Sequence, residues 1–303
     1  MASGIAQRLW RHADWSLAKS CSKWTPLGGA SARRRSGWFS TTSEEASGTA
    51  RSVDAKEVAK FAAMADEWWD TAGPYGALHR LNYARSPFIR MAVCDHYGKA
   101  STGRRPLEGL SLVEVGCGGG ILSESLAVMG SDVKAIDAAE ESVQVAKKHL
   151  KRNALLRSRT NLTYEATTAE SLVEKGEAYD VVVSSEVVEH VLDPPGFCKT
   201  LSNLCKPGGL VVMSTLNRTL WSYSLAIVAA ERILGMAPRG AHDWDQFVTP
   251  EELCIMCEDA GLELGSISGM RWSVPKGQFE LTKDLSVNYI AAFRKEPPRQ
   301  DET

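Results

Sequence analysis

Much that would assign a chain to a common class is missing from these 303 residues. No apolar run is long enough to span a bilayer, which takes roughly 20 residues. One candidate, Leu220 to Ala230, is cut off by Glu231 and Arg232. A basic body is missing too. Residues 1–43 hold seven Lys/Arg and one acid, Asp14, which leaves 28 basic against 36 acidic residues in the rest. A folded part of that sign is a poor non-specific binder of nucleic acid. The seven cysteines form no disulfide framework. Cys254 and Cys257 make a lone C-x-x-C on an expected helix, Thr249–Ala260, where core packing is the better reading than metal or redox use. No Gly-Lys-Ser/Thr follows a glycine turn, so a P-loop is excluded.

What is present is organised around residues 112–120, Leu-Val-Glu-Val-Gly-Cys-Gly-Gly-Gly. The apolar run Leu110–Val115 reads as a buried strand. It stops in Gly116, Gly118, Gly119 and Gly120, and helical spacing resumes over Ile121–Met129. Strand, glycine turn and helix let backbone approach a ligand closely. A dinucleotide fingerprint would need its third glycine at position 121, which is Ile121. Asp137 closes a second short strand, Asp132–Ile136, about 20 positions after the turn. There an acid can accept hydrogen bonds from ribose hydroxyls, or cap the helix expected over Glu140–Leu150.

Further strands are expected at Leu162–Glu165, Tyr179–Ser184, Leu210–Thr215, Leu262–Ile267 and Val287–Phe293, with a helix at Phe197–Cys205. Alternation of this kind indicates a mostly parallel α/β sheet, doubly wound, with helices on both faces. Ahead of it, Asp54–Asp70 has amphipathic spacing, Thr71-Ala72-Gly73-Pro74 breaks it, and a second helix is expected from Ser86-Pro87 to Tyr97.

The run Glu114-Val-Gly116-Cys-Gly118-Gly-Gly120 resembles motif I of the class I S-adenosylmethionine-dependent methyltransferases. Trp68-Trp69-Asp70, Leu78-His79, Asn82, Arg85 and Phe88-Ile89 together resemble the N-terminal signature of the ubiquinone-biosynthesis O-methyltransferases. The resemblance covers about Asp54 to Arg294. It implies a seven-stranded Rossmann-like sheet with an N-terminal helical extension and an antiparallel edge. It also implies S-adenosylmethionine as cofactor, held by Arg85, Glu114, Gly116, Gly118, Asp137 and Ser185. An Arg before the nucleotide fold can hold the cofactor's methionine carboxylate in a charge-assisted pair.

The fourth strand runs into Ser184-Ser185-Glu186-Val187-Val188-Glu189-His190. If this segment is helical, Glu186, Glu189 and His190 share one face and suit a divalent metal with open positions. The family resemblance implies a magnesium-class ion (Mg²⁺ or similar) on these three residues, which are also the candidate catalytic groups. A general base, His190 or one of the glutamates, is the metal-free alternative. Glu-His-Val in this place also occurs in class I methyltransferases that need no metal.

The expected layout is an address segment at 1–42, a helical cap at 43–106, a methyltransferase core at 107–296 with an apolar insert at 217–245, and a disordered tail at 297–303. The Arg-, Ser- and Ala-rich address, with a candidate cleavage near Phe39, fits a mitochondrial transit peptide better than a secretory signal; a plastid address is the competitor. The insert is a core helix, a lid over a large apolar substrate, or an interfacial helix anchored by Trp221 and Tyr223. The resemblance implies O-methylation of polyprenylated dihydroxybenzoate and demethylubiquinol rings, on the matrix side of the mitochondrial inner membrane, in peripheral contact with it and within a biosynthetic protein complex. Two other readings stay open: a class I methyltransferase for another small phenol or amine, and a non-catalytic methyltransferase-like assembly factor.

Overall fold

A computed structural model describes residues 52–219 and 246–297. The expected address, nearly all of the apolar insert and most of the C-terminal tail lie outside the described residues.

Eight strands form one sheet: β1 (Ser111–Val115), β2 (Asp132–Asp137), β3 (Leu162–Ala166), β4 (Tyr179–Ser185), β5 (Cys205–Leu216), β6 (Leu262–Ser273), β7 (Gln278–Thr282) and β8 (Asn288–Lys295). Their order is β3-β2-β1-β4-β5-β8-β6-β7. The first five are parallel, and β8, β6 and β7 close an antiparallel edge. Chain order reverses between β1 and β4, so a crevice opens at the carboxyl ends of these two strands. β1 and β4 are almost wholly buried, as strands covered on both faces must be. The expected seven strands are all present. The eighth, β7, pairs with the far half of β6 across a turn at Pro275-Lys276-Gly277.

Helices α3 (Ile121–Val128), α4 (Glu140–Arg152), α5 (Ala169–Glu174), α6 (Pro194–Leu204) and α7 (Pro250–Asp259) flank the sheet. One core lies on each face. Leu112, Leu126, Val181 and Phe88 belong to one, and Val113, Val182, Phe197 and Tyr289 to the other. The start of α7 is set by a full capping box: Thr249 Oγ1 accepts from the Glu252 amide while the Glu252 carboxylate accepts from the Thr249 amide. Cys254 and Cys257 on this helix are buried, and Cys257 packs against Cys198 and Met213 at about 4 Å, as the core reading expected. Burial pushes the Cys254 thiol up to about 12, far from a reactive thiolate.

The N-terminal helices depart from expectation. α1 spans only Ala55–Ala63, capped by Asp54, and gives way to a short 3-10 turn at Ala65–Glu67. α2 runs unbroken from Gly76 to His96 with Pro87 inside it. A proline in mid-helix costs about 3 kcal/mol. Here Leu81, Ala84, Phe88, Ile89, Ala92 and Val93 are all buried along the same helix, and burying one large aliphatic or aromatic side chain contributes roughly 1.5–3 kcal/mol. Tertiary burial outweighs the break, and Arg85 is thereby fixed on a helix rather than a loop.

Candidate active site

The glycine turn sits at the crevice. Gly116 and Gly118 both have positive φ, 77° and 51°. A Cβ on Gly116 would meet Val187 at 2.4 Å, and one on Gly118 would meet Trp68 at 2.3 Å. Each therefore needs glycine twice over, for backbone conformation and for space.

The N-terminal signature residues roof this turn, each by its own bond. Trp69 Nε1 donates to the Gly119 carbonyl at 2.9 Å, and Trp68 Nε1 to Ser142 Oγ at 3.0 Å. The His79 ring meets the Trp68 carbonyl at 2.9 Å. Asn82 Nδ2 donates to the Ile121 carbonyl at 2.9 Å. Arg85, 4% exposed, donates from Nε to Asn82 and from Nη1 to Ser185 Oγ at 2.9 Å. The spaced Trp-Trp, His, Asn and Arg thus lock α2 onto the turn and onto the end of β4. Tyr75 stacks on Trp68 with ring centroids 3.8 Å apart, and its buried hydroxyl has no hydrogen-bond partner among the described residues.

Asp137 Oδ2 accepts from the Gly118 amide and Oδ1 from the Ala139 amide, both at 2.8 Å. It braces the turn from β2. The N-cap of α4 is Ala139, so Asp137 is not that cap. Glu114 is buried at the end of β1 and accepts from Ser123 Oγ; burial pushes its carboxyl up to about 7, against the pull of Ser123 and Arg85.

Beyond β4 the segment is not helical. Glu186 has φ 58°, the only positive value outside glycine among the described residues, and a 3-10 turn begins only at Val188. The expected single face of Glu186, Glu189 and His190 does not form. Glu186 Oε1 accepts from Ser214 Oγ at 2.7 Å, and its other oxygen lies 3.5 Å from Asn288 Nδ2. Burial first, then repulsion from Glu189, lifts its carboxyl to about 7. His190 Nδ1 faces Glu57 Oε2 of α1 at 2.9 Å and meets Phe61 edge-on at 5.3 Å. Among the described residues no group of three or more His, Cys, Asp or Glu side chains is arranged to hold a metal ion. The three-ligand set expected on Glu186, Glu189 and His190 is therefore not present as such. Glu189, 3% exposed, has both oxygens buried with no hydrogen-bond partner among the described residues. A buried carboxylate without a protein partner is satisfied by water, an ion or a ligand group.

All the expected site residues meet in one place. A cavity of about 680 Å³ is lined by Gly116, Gly118, Asp137, Arg85, Glu114, Ser185, Glu186, Glu189 and His190. Glu57 and Tyr75, not singled out from sequence, line it as well. Nothing local marks Glu57, which lies in the first turn of an amphipathic helix. Tyr75, beside the turn-breaking Gly73-Pro74, offered only a weak signal.

Residues 88–267 match a family model described as a methyltransferase domain. The mitochondrial ubiquinone biosynthesis O-methyltransferase of Arabidopsis thaliana is 43% identical over 240 residues, 79% of this chain and 74% of its own length. The ubiquinone biosynthesis O-methyltransferase of Methylobacterium nodulans is 46% identical over 247 residues, 82% of this chain and 97% of its own. This chain belongs to the ubiquinone biosynthesis O-methyltransferases. Among solved structures, the magnesium protoporphyrin IX methyltransferase of Synechocystis with bound SAH matches with a TM-score of 0.53 at 18% identity, covering 76% of this chain and 94% of that one. At that identity it shows the shared fold alone. The matched domain begins three residues after Arg85, so this methyltransferase draws its roof from outside it.

Proposed function

We propose that this methyltransferase transfers the methyl group of S-adenosylmethionine to a ring hydroxyl of polyprenylated catechols, the polyprenyl dihydroxybenzoate and demethylubiquinol type. The observation that carries the reading is the shared cavity, which sets the glycine turn and Asp137 in continuity with Glu186, Glu189 and His190. In the transfer the cofactor's S–CH3 bond breaks and an O–CH3 bond forms, giving an aryl methyl ether and S-adenosylhomocysteine, and the phenolic proton leaves to a base. Arg85 and Glu114 serve the methionine end of the cofactor, Asp137 its ribose, and Ser185 lies between cofactor and substrate. A neutral phenol, with a pKa near ~10 like tyrosine, is a weak nucleophile. Glu186, lifted to about 7, is suited to accept its proton near neutral pH. His190, held by Glu57, borders the same space. A Mg²⁺-class ion on Glu186 and Glu189 would supply Lewis acidity at the ring oxygens in place of the base, since a cation there would hold Glu186 ionised; the partnerless Glu189 carboxylate is what supports that variant of the reading.

The reading places the enzyme on the matrix side of the mitochondrial inner membrane, in peripheral contact with lipid and within a biosynthetic complex. The name of the Arabidopsis relative and the arginine-rich first 43 residues support the mitochondrial part. Among the described residues no helix is long and apolar enough to cross a membrane.

The test is methyl transfer from labelled S-adenosylmethionine to a short-chain prenylated dihydroxybenzoate, with chelator and then with Mg²⁺. Transfer restored by the ion and lost in Glu189→Ala supports the whole reading. Transfer indifferent to chelator removes the ion and leaves the base. Cofactor binding without transfer to any prenylated catechol overturns the substrate.

A further inference from the structure

The roles given above to cofactor and catechol leave one stretch of the cavity lining unused. Past Glu186 its lining is mostly apolar, built by Leu78 and Leu81 of α2, Met270 and Trp272 of β6, Phe279 of β7, and Val274 just beyond β6, with Arg271 of β6 among them. The path can be followed along the sheet. Glu186 lies beside Asn288, and Asn288 pairs with Met270. From Met270, β6 runs outward as the inner strand of the β6–β7 hairpin, and Trp272 stands opposite Phe279 with the rings 5.4 Å apart, edge to face. Val274 ends the path, 80% exposed, up to ~13 Å from Met270 at an extended rise of about 3.3 Å per residue. Arg80 on α2 lies over the Trp272 ring, its guanidinium 5.9 Å from the centroid.

An apolar wall that starts at the reacting carboxylates and finishes in an exposed valine is shaped for a long, flexible hydrocarbon that enters with its polar head first. We infer that the α2 and β6–β7 wall is the seat of the substrate's isoprenoid tail, which leaves the protein beside Val274. This rests on the reading of the substrate as a prenylated catechol. It gives the extra strand β7 a purpose. β7 pairs with the outer half of β6 and itself packs on α2, so it closes the wall on that side.

The experiment compares two substrates in detergent with the full chain: a prenylated dihydroxybenzoate and the same ring without its tail. Val274→Asp and Trp272→Ser are the variants. A tail bound equally in ground and transition states is lost as a rise in KM with kcat unchanged. The expected result is a KM roughly tenfold higher for the tailed ring, about 1.4 kcal/mol of binding, with both constants for the tailless ring within about twofold of wild type. Unchanged kinetics on the tailless ring also show that the variants fold. A KM for the tailed ring that does not move, or a shift equal on both rings, overturns the tail site while the substrate reading stands. A wild-type chain that binds cofactor and methylates neither ring overturns both.

Discussion

Glu186 is where stability and activity are expected to part. Its left-handed backbone costs an L-residue about 1–2 kcal/mol. Glycine escapes that cost but loses roughly 0.5–1 kcal/mol to the freedom of the unfolded chain. Glu186→Gly and Glu186→Ala both delete the carboxylate and its bonds to Ser214 and Asn288, so those losses cancel between them. What remains is backbone conformation, and the glycine variant is expected to be more stable than the alanine variant by about 0.5–1 kcal/mol. For a chain of this size that is a melting difference of about 2 °C. Both variants are expected to lose kcat by about 10²-fold or more, the usual yield of a positioned acid or base. Thermal unfolding without cofactor, paired with initial rates on a prenylated catechol, measures the two. An alanine variant as stable as the glycine one would refute the strained backbone; near-wild-type kcat in either would refute the role of the carboxylate.

Gly116→Ala is expected to destabilise by about 2–4 kcal/mol, from its positive φ and the contact with Val187. Adding Val187→Ala should recover part of that in a denaturation cycle, and independent, additive losses would contradict the clash. Arg85→Lys is expected to raise the KM for S-adenosylmethionine at least tenfold, because one ammonium cannot replace a guanidinium that bridges Asn82 and Ser185; a near-normal KM would remove Arg85 from cofactor binding. The Glu114 carboxyl, raised to about 7 when folded, binds its proton more tightly in the folded chain than in the unfolded one, so its contribution to stability is fully present below about pH 4.5 and is lost as pH rises through about 7. Glu114→Gln should flatten that decline, of the order of 3 kcal/mol, in urea midpoints of the cofactor-free protein between pH 5 and 8. A slope unchanged in the variant would show that the burial cost lies elsewhere.

The parts of the fold that could be read from the chain are those made by neighbours in sequence. β1, the glycine turn, α3 and β2 follow one another over about 25 residues, and apolar runs punctuated by glycine specify them directly. Cys254 and Cys257 were legible as core for the same reason. Pro87 misled because its cost is local while the compensation, the burial of Phe88 and Ile89 against the sheet, is not. The left-handed Glu186 carries no sequence signal, so an i, i+3, i+4 face was expected where the backbone turns away. Glu57 reaches His190 across more than 130 residues, beyond any spacing rule. The β6–β7 hairpin was readable in principle from Pro-Lys-Gly between two alternating runs, Met270-Arg-Trp-Ser-Val274 and Gln278-Phe-Glu-Leu-Thr282.

The roof over the glycine turn has a consequence for the order in which this protein becomes competent. Trp68, Trp69, Asn82 and Arg85 leave the ribosome before a single strand of the sheet, and the groups they bond lie later, at Gly119, Ser142, Ile121 and Ser185. This segment, made ahead of the whole sheet, is thus among the last to settle, and it must wait for about 100 further residues before Arg85 has Ser185. A nascent chain halted short of Ser185 has the glycine turn but no finished site. Responsiveness to cofactor should therefore switch on abruptly with chain length rather than grow with each added strand.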